Sequence, residues 1–284
     1  MRKWTKTDFL VILALVLALA LIGKARGAEM SGDGLGLKGS FMQGGLVTGR
    51  VTPGSRVELD GDPVKVRADG RFLIGFGRDA KRTAKLVAVL PDGRRVSRTL
   101  KVKKRKYRVQ RINGLPRKMV TPPPAVMKRI RADAAQIKSA RLADTDRALF
   151  DSGFIWPVKG RISGVYGSQR ILNGKPRRPH FGVDVAAPVG TPIVSTADGI
   201  VRVASKDMYF TGGTVLVDHG FGLNSVYSHL DSVIVKPGQR VVQGTVIGTL
   251  GGTGRATGPH LDWRVNLFLT RLDPALLVPP MTAD

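Results

Sequence analysis

The sequence predicts a mainly β chain: a small N-terminal antiparallel β-sandwich-like domain, a helical linker and a C-terminal β-sheet domain. Three observations lead to this. Residues 37–107 are short alternating apolar segments divided by turn signals. Residues 125–149 follow a proline break and have helical composition, and from Ile155 onward valine, glycine and frequent turns dominate.

Taken in order, the chain opens with Arg2, Lys3 and Lys6, then an uninterrupted apolar run from Phe9 to Ile22. That run is shorter than the ~20 residues that cross a bilayer comfortably as a helix. A basic start, a short apolar core and the small residues Ala25, Gly27 and Ala28 predict a secretory signal peptide over residues 1–27. Lys24 and Arg26 are awkward neighbours for cleavage, so an uncleaved inner-membrane anchor over residues 9–22 is the competing expectation. Both place the protein in the periplasm. The chain has no cysteine, which excludes disulfides, a lipid-modified N-terminus and a sulfur-bound structural zinc site.

Residues 28–36 read as a flexible, glycine-rich lead. Within 37–107, Val47–Val51, Arg56–Leu59, Phe72–Phe76 and Lys85–Leu90 read as strands between Thr52-Pro-Gly54, Asp60-Gly-Asp-Pro63, Ala68-Asp-Gly70 and Pro91-Asp-Gly93. This domain holds no histidine and no acidic cluster, so it is expected to bind, space or orient rather than catalyse. Residues 108–150 form a basic linker and helix, with Val126, Ile130, Ala134, Ile137 and Ala140 close to one helical face. Such a helix can pack on either domain or cover the cleft of the C-terminal one. Residues 151–284 make the C-terminal domain.

The net charge is +25 and the pI is near 11.1. The densest basic stretch, Lys101 to Lys118, carries a single aromatic, Tyr107, and so lacks a base-stacking platform; no nucleic-acid motif accompanies it. An exported chain of this charge is better matched to a polyanionic envelope: peptidoglycan stem carboxylates or an anionic membrane surface.

Three of the four histidines fall in the C-terminal domain's short motifs His180-Phe-Gly-Val-Asp184, Tyr227-Ser-His-Leu230 and His260-Leu-Asp262. Gly182, Val183, Val185 and Pro188 argue for extended chain there, in which positions two and four apart share a face. His180 would then face the same way as Asp184, and His260 the same way as Asp262. Such pairs can build a mixed nitrogen and oxygen metal site with one position open. On residue types alone, packed or hydrogen-bonded histidines explain the pattern equally well.

Context decides between them. Trp156-Pro-Val-Lys-Gly-Arg-Ile-Ser-Gly-Val-Tyr-Gly167, His180 to Pro192, Ala197-Asp-Gly-Ile-Val201, Val217-Asp-His-Gly220, Tyr227 to Leu230, Gly238 to Gly248 and Gly254-Arg-Ala-Thr-Gly-Pro-His-Leu-Asp262 occur in one order. Residues 156–269 thereby resemble the LytM/lysostaphin-like zinc metallopeptidases, which cut the peptide part of bacterial peptidoglycan. The resemblance implies a largely antiparallel β-sheet fold with one zinc ion in a groove. It implies His180 and Asp184 as metal ligands and His229 and His260 as catalytic histidines. Asp262 stands where the family has its third ligand, a histidine.

Aspartate can ligate zinc through oxygen, but it is shorter than histidine, and a second carboxylate lowers the effective charge of the ion. The expectation is a site with reduced zinc affinity and slower turnover, or one that takes another, harder divalent ion. His219, before Gly220 in an expected hairpin, reads as framework. Tyr227 is expected to share a strand face with His229, to orient it, touch substrate or pack. Arg264 can bind a substrate carboxylate or pair with Asp262. Together these make a zinc-dependent endopeptidase of peptidoglycan stems or cross-bridges the leading expectation. The alternative is a catalytically impaired relative that binds cell wall and activates or positions a separate amidase.

Overall fold

The structure is a computed structural model that describes residues 28–114 and 121–281. The expected signal peptide or anchor over 1–27 and the end of the basic stretch at 115–118 lie outside the described residues. Among those described, no helix is long and apolar enough to cross a membrane.

Seven strands come first: β1 (Leu35–Gly39), β2 (Leu46–Val51), β3 (Arg56–Leu59), β4 (Asp62–Val64), β5 (Arg71–Gly75), β6 (Thr83–Val89) and β7 (Arg95–Lys101). They form two antiparallel sheets, ordered β1-β2-β5 and β4-β3-β6-β7. Alternation decides which side chains meet between them. Ala84, Leu86 and Ala88 of β6 turn inward against Leu35, Val47, Phe72 and Ile74, while Lys85 turns out. A small sandwich with its own core results.

Leaving this sandwich, the chain adds β8 (Val109–Ile112), then the helix α1 (Met127–Arg141). Twelve further strands follow: β9 (Arg161–Gly164), β10 (Gln169–Leu172), β11 (Lys175–Pro176), β12 (Val183–Ala186), β13 (Pro192–Val194) and β14 (Gly199–Met208), then β15 (Gly212–Gly220), β16 (Leu223–Val233), β17 (Arg240–Val241), β18 (Val246–Leu250), β19 (Leu261–Leu267) and β20 (Thr270–Leu272). The main sheet runs β17-β14-β15-β16-β19-β12-β9, with β13, β18 and β20 attached. Every pairing within it is antiparallel. The mainly β reading, with one helix between two β parts, therefore holds.

The faces of this sheet divide the labour. Val183, Val185, Val215, Val217, Tyr227, Leu261, Trp263 and Val265 point into the larger core. On the opposite face, Val203, Leu216, Val226 and Arg264 lie in one row across β14, β15, β16 and β19 by strand register. Ile137 and Ala140 of α1 pack on the apolar part of that face, among Val203, Met208, Leu216 and Val226. The helix therefore lies on the face that carries Arg264.

The helix ends at Arg141, short of the expected Leu149. Tertiary contacts claim the residues beyond it: Asp144 pairs with Lys65 and Arg67, the Thr145 hydroxyl donates to Asp218 at 2.6 Å, and the Phe221 amide bonds the Thr145 carbonyl. Arg67 also pairs with Asp146 and stacks 4.4 Å from the Phe221 ring, which ties the first sandwich to the second domain. A further tie joins Arg105 to the buried Asp273 at 2.6 Å.

The β15–β16 hairpin turns at Phe221 and Gly222, both with positive φ of 54° and 77°, the backbone of a tight two-residue turn. His219 stands just before it, fully buried. Its Nδ1 donates to the Asp198 carbonyl and its Nε2 lies 2.7 Å from the Ser225 hydroxyl, so it is a framework residue held neutral. Burial pushes its pKa down to about 4. The unfolded chain, near 6.5, binds the proton first as pH falls, so this stability is complete above pH ~6.5 and is lost toward pH ~4. The unfolding free energy in urea should fall by about 3 kcal/mol more between pH 7 and pH 4 in the wild type than in His219→Gln.

Candidate metal and hydrolytic site

Antiparallel register brings the site together. Asp184 of β12 is the direct partner of Asp262 on β19, and Asp262 is the direct partner of Ser228 on β16. Direct partners share a face, so both carboxylates emerge side by side on the face opposite the larger core. His180 precedes β12 and is locked by two backbone bonds: its amide donates to the Ser168 carbonyl, and its carbonyl accepts from Gly167. Its Nε2 reaches to 2.9 Å from Asp184 Oδ1. One ligand atom each from His180, Asp184 and Asp262 lies within 4.8 Å of the others, and all three residues are buried.

His229 reaches this cluster through a break in strand regularity. Its φ is +67°, and the pairing of β16 shifts between Leu230 and Ser232. Regular alternation would send His229 to the face opposite Ser228. The positive φ turns it back, so that its ring lies 4.7 Å from that of His260. Tyr227 keeps the alternation and is buried in the core, its hydroxyl accepting from the Thr196 amide at 2.8 Å. The expectation that Tyr227 shares a face with His229 fails for this reason, and Tyr227 packs.

The tautomers of the two histidines follow from their partners. Nδ1 of His229 lies 2.8 Å from the Thr253 carbonyl, and Nδ1 of His260 lies 2.8 Å from the Gly258 carbonyl. A carbonyl only accepts, so each Nδ1 carries the proton and each Nε2 keeps a lone pair. His260 Nε2 stands 4.0 Å from Asp184 Oδ1. Burial lowers the pKa of His229, which keeps it a neutral base.

Two arginines hold the carboxylates. Arg170 of β10 donates to Asp184 Oδ2 at 2.6 Å. Arg264 forks onto Asp262, Nε to Oδ1 at 2.9 Å and Nη2 to Oδ2 at 2.5 Å. Of the two roles open to Arg264 in the sequence, the structure shows the pairing. Burial alone would raise the pKa of Asp262, but the Arg264 fork overcomes it and holds the group well below the usual carboxylate range. Asp184 is also raised by burial and then lowered by His180 and Arg170, with a net shift downward.

The donor set fits a divalent cation. His180 Nε2 and Asp184 Oδ1 are buried and 2.9 Å apart, yet neither makes a hydrogen bond. Two buried unpaired ligand atoms of this kind are costly unless something shared between them satisfies both. Glycines leave the room: a Cβ on Gly164 would run into the Asp184 carboxylate, and one on Gly182 would come within 2.6 Å of Asp262 Oδ1. Imidazole nitrogen with two carboxylate oxygens suits zinc and also harder ions. The Arg264 fork leaves Asp262 only its outward lone pairs for a metal.

Paired histidines with free Nε2 atoms beside a buried His/Asp/Asp cluster, on one face of an antiparallel sheet, define a metallohydrolase type of site. The chain belongs to peptidase family M23, whose model matches residues 178–274. A putative peptidase M23 of known structure from Pseudomonas aeruginosa is 31% identical, covers 84% of this chain and 95% of its own, and superposes with a TM-score of 0.65. Peptidoglycan DD-endopeptidase ShyC of Vibrio cholerae is 49% identical over 105 residues, 36% of this chain and 24% of ShyC. Cell division protein DipM of Caulobacter vibrioides is 35% identical over 169 residues, 56% of this chain and 26% of DipM. The chain thus spans about a quarter of the length of these curated relatives.

Removing Arg264 leaves Asp262 buried, charged and facing Asp184. In chelator, Arg264→Ala should lose about 3 kcal/mol of unfolding free energy. Adding Asp262→Asn should recover more than half of that loss, a coupling that a double-mutant cycle in urea measures directly.

Proposed function

We propose that the protein is a zinc-dependent endopeptidase that hydrolyses a peptide bond in peptidoglycan stems or cross-bridges of the bacterial envelope, to which it is exported. The observation that carries this reading is the convergence of His180, Asp184 and Asp262 within 4.8 Å, beside two histidine rings 4.7 Å apart. The similarity to chains named peptidoglycan DD-endopeptidases supports the substrate and favours an internal bond between D-configured residues.

His180, Asp184 and Asp262 would hold the ion, which supplies Lewis acidity to the scissile carbonyl and the attacking water. His229 Nε2 accepts the proton of that water, because its Nδ1–H is already spent on Thr253. His260 is the more open of the pair, with 16% side-chain exposure. It exchanges protons between the site and the leaving amine. Asp184 and Asp262 stabilise whichever ring becomes cationic. Arg264 fixes the direction of Asp262, and Arg170 fixes that of Asp184.

A second reading has one observation in its favour. The Arg264 fork neutralises Asp262 internally, as expected of a fold kept for binding cell wall or for activating a separate amidase. Mass spectrometry of purified peptidoglycan treated with the zinc-loaded chain separates the two. The peptidase should generate new peptide termini, reduced at least ~100-fold in His260→Ala. Wild-type digests without new termini would overturn the peptidase reading in favour of the binding one.

A further inference from the structure

Beyond Asp262, the site face of β19 continues through Arg264 to Asn266, since alternate residues of a strand share a face. Cross-strand register places Asn224 of β16 and Arg271 of β20 on either side of Asn266. Hydrogen bonds link them: Arg271 Nη1 donates to Asn266 Oδ1 at 2.9 Å, and Asn266 Nδ2 donates to Asn224 Oδ1 at 2.8 Å. Arg271 also lies 5.9 Å from the ring of Phe181, the neighbour of His180, so its head is on the site side of the sheet. Arg141, the last residue of α1, closes the group. It donates from Nη2 to the Phe268 carbonyl at 3.0 Å, and its own carbonyl accepts from Asn224.

This patch holds more positive charge than the described residues balance. The carboxylates of the neighbouring cluster are spoken for, Asp184 by Arg170 and Asp262 by Arg264. Among the described residues, no carboxylate stands within ion-pair distance of Arg141 or Arg271. Arg141 is 95% buried by residue surface, at 5% exposure, and its Nε has no hydrogen-bond partner. Tying the helix to the β19–β20 hairpin uses one of its N–H groups and leaves the rest of the charge unspent. A buried guanidinium without a counter-charge is costly; Arg141 is one, and it and the partly buried Arg271 sit close to a third, Arg264. Burial and then that mutual repulsion lower Arg141 to about 10 and Arg271 to about 9. An anion would relieve all of this at once.

We propose that Arg271, backed by Arg141 and oriented by Asn266, is a subsite for a carboxylate of the peptide substrate, set along β19 from the Asp184/Asp262 cluster. This rests on the peptidase reading for its choice of ligand. Four residues of strand separate Asp262 from Asn266, about 13 Å, and an extended peptide has the same rise. The carboxylate that docks here therefore belongs to a residue within about four of the reacting bond. An acidic stem peptide meets that description and a neutral glycine bridge does not.

The test uses the full chain stripped of metal, so that nothing is cleaved, and titration calorimetry with two probes: a synthetic stem tetrapeptide with free carboxylates, and the same peptide fully amidated. The acid should bind at least ~10-fold more tightly than the amide. Arg271→Gln should bring the acid down to the amide's affinity without changing the amide, and Arg271→Lys should keep most of the preference. Equal affinity for acid and amide overturns the subsite. So does unchanged acid binding in Arg271→Gln, or no binding of the acid to a chain that remains folded by circular dichroism. A chain that prefers the acid yet produces no termini from peptidoglycan loses the peptidase function and keeps the subsite. One that cleaves acid and amide peptides alike keeps the function and loses the subsite.

Discussion

Asp184 and Asp262 face each other as direct partners on adjacent antiparallel strands, both buried, and the site is organised around the cost of that placement. Two like charges at this separation in a poorly solvated groove cannot both stay ionised unless cations surround them. Arg170 and Arg264 supply two of those cations from β10 and β19. His180 fills the space between them with a nitrogen that has no other use. A divalent ion shared by the three side chains would complete the set. The arginines, and the ion that this donor set fits, answer one electrostatic problem.

The rest of the fold holds that pairing in place. The larger core packs the opposite face of β12, β16 and β19 through Val183, Val185, Tyr227, Leu261 and Trp263, which fixes the register on which the carboxylates depend. A one-residue slip would exchange the two faces and bury the hydrogen-bonding groups among apolar ones. The helix α1 covers the apolar half of the site face and stops where Arg141 reaches the β19–β20 hairpin, so its packing contacts leave the carboxylate cluster uncovered. β8 of the linker pairs in parallel with β10, the strand that carries Arg170. The first sandwich is anchored to the same body through Arg67, Arg105 and Asp273.

Much of this was legible in the sequence. The mainly β composition and the sandwich strands follow from turn signals and alternation, and short-range spacing pairs His180 with Asp184 and His260 with Asp262; that these join His229 in one site is what the resemblance implied. What escaped is what register or local backbone decides. His229 departs from alternation through its positive φ, which no spacing rule anticipates, and that misplaced Tyr227. Helical composition extends to Leu149, but Asp144 and Thr145 are drawn off by Arg67 and Asp218 from far along the chain. Arg264 lies close enough to Asp262 in sequence for the pairing to be considered. Arg170, Arg141 and Arg271 come from other elements, and only the folded sheet shows them around the same face.

Zinc content is the most direct measure of whether His180, Asp184 and Asp262 form one metal centre. The full chain would be loaded with zinc, dialysed against metal-free buffer and analysed by inductively coupled plasma mass spectrometry, together with Asp184→Asn and Asp262→Asn. One ion per chain in the wild type, lost or sharply reduced in both variants, is the predicted result. No bound ion in a folded wild-type chain, or full occupancy after either substitution, would contradict it.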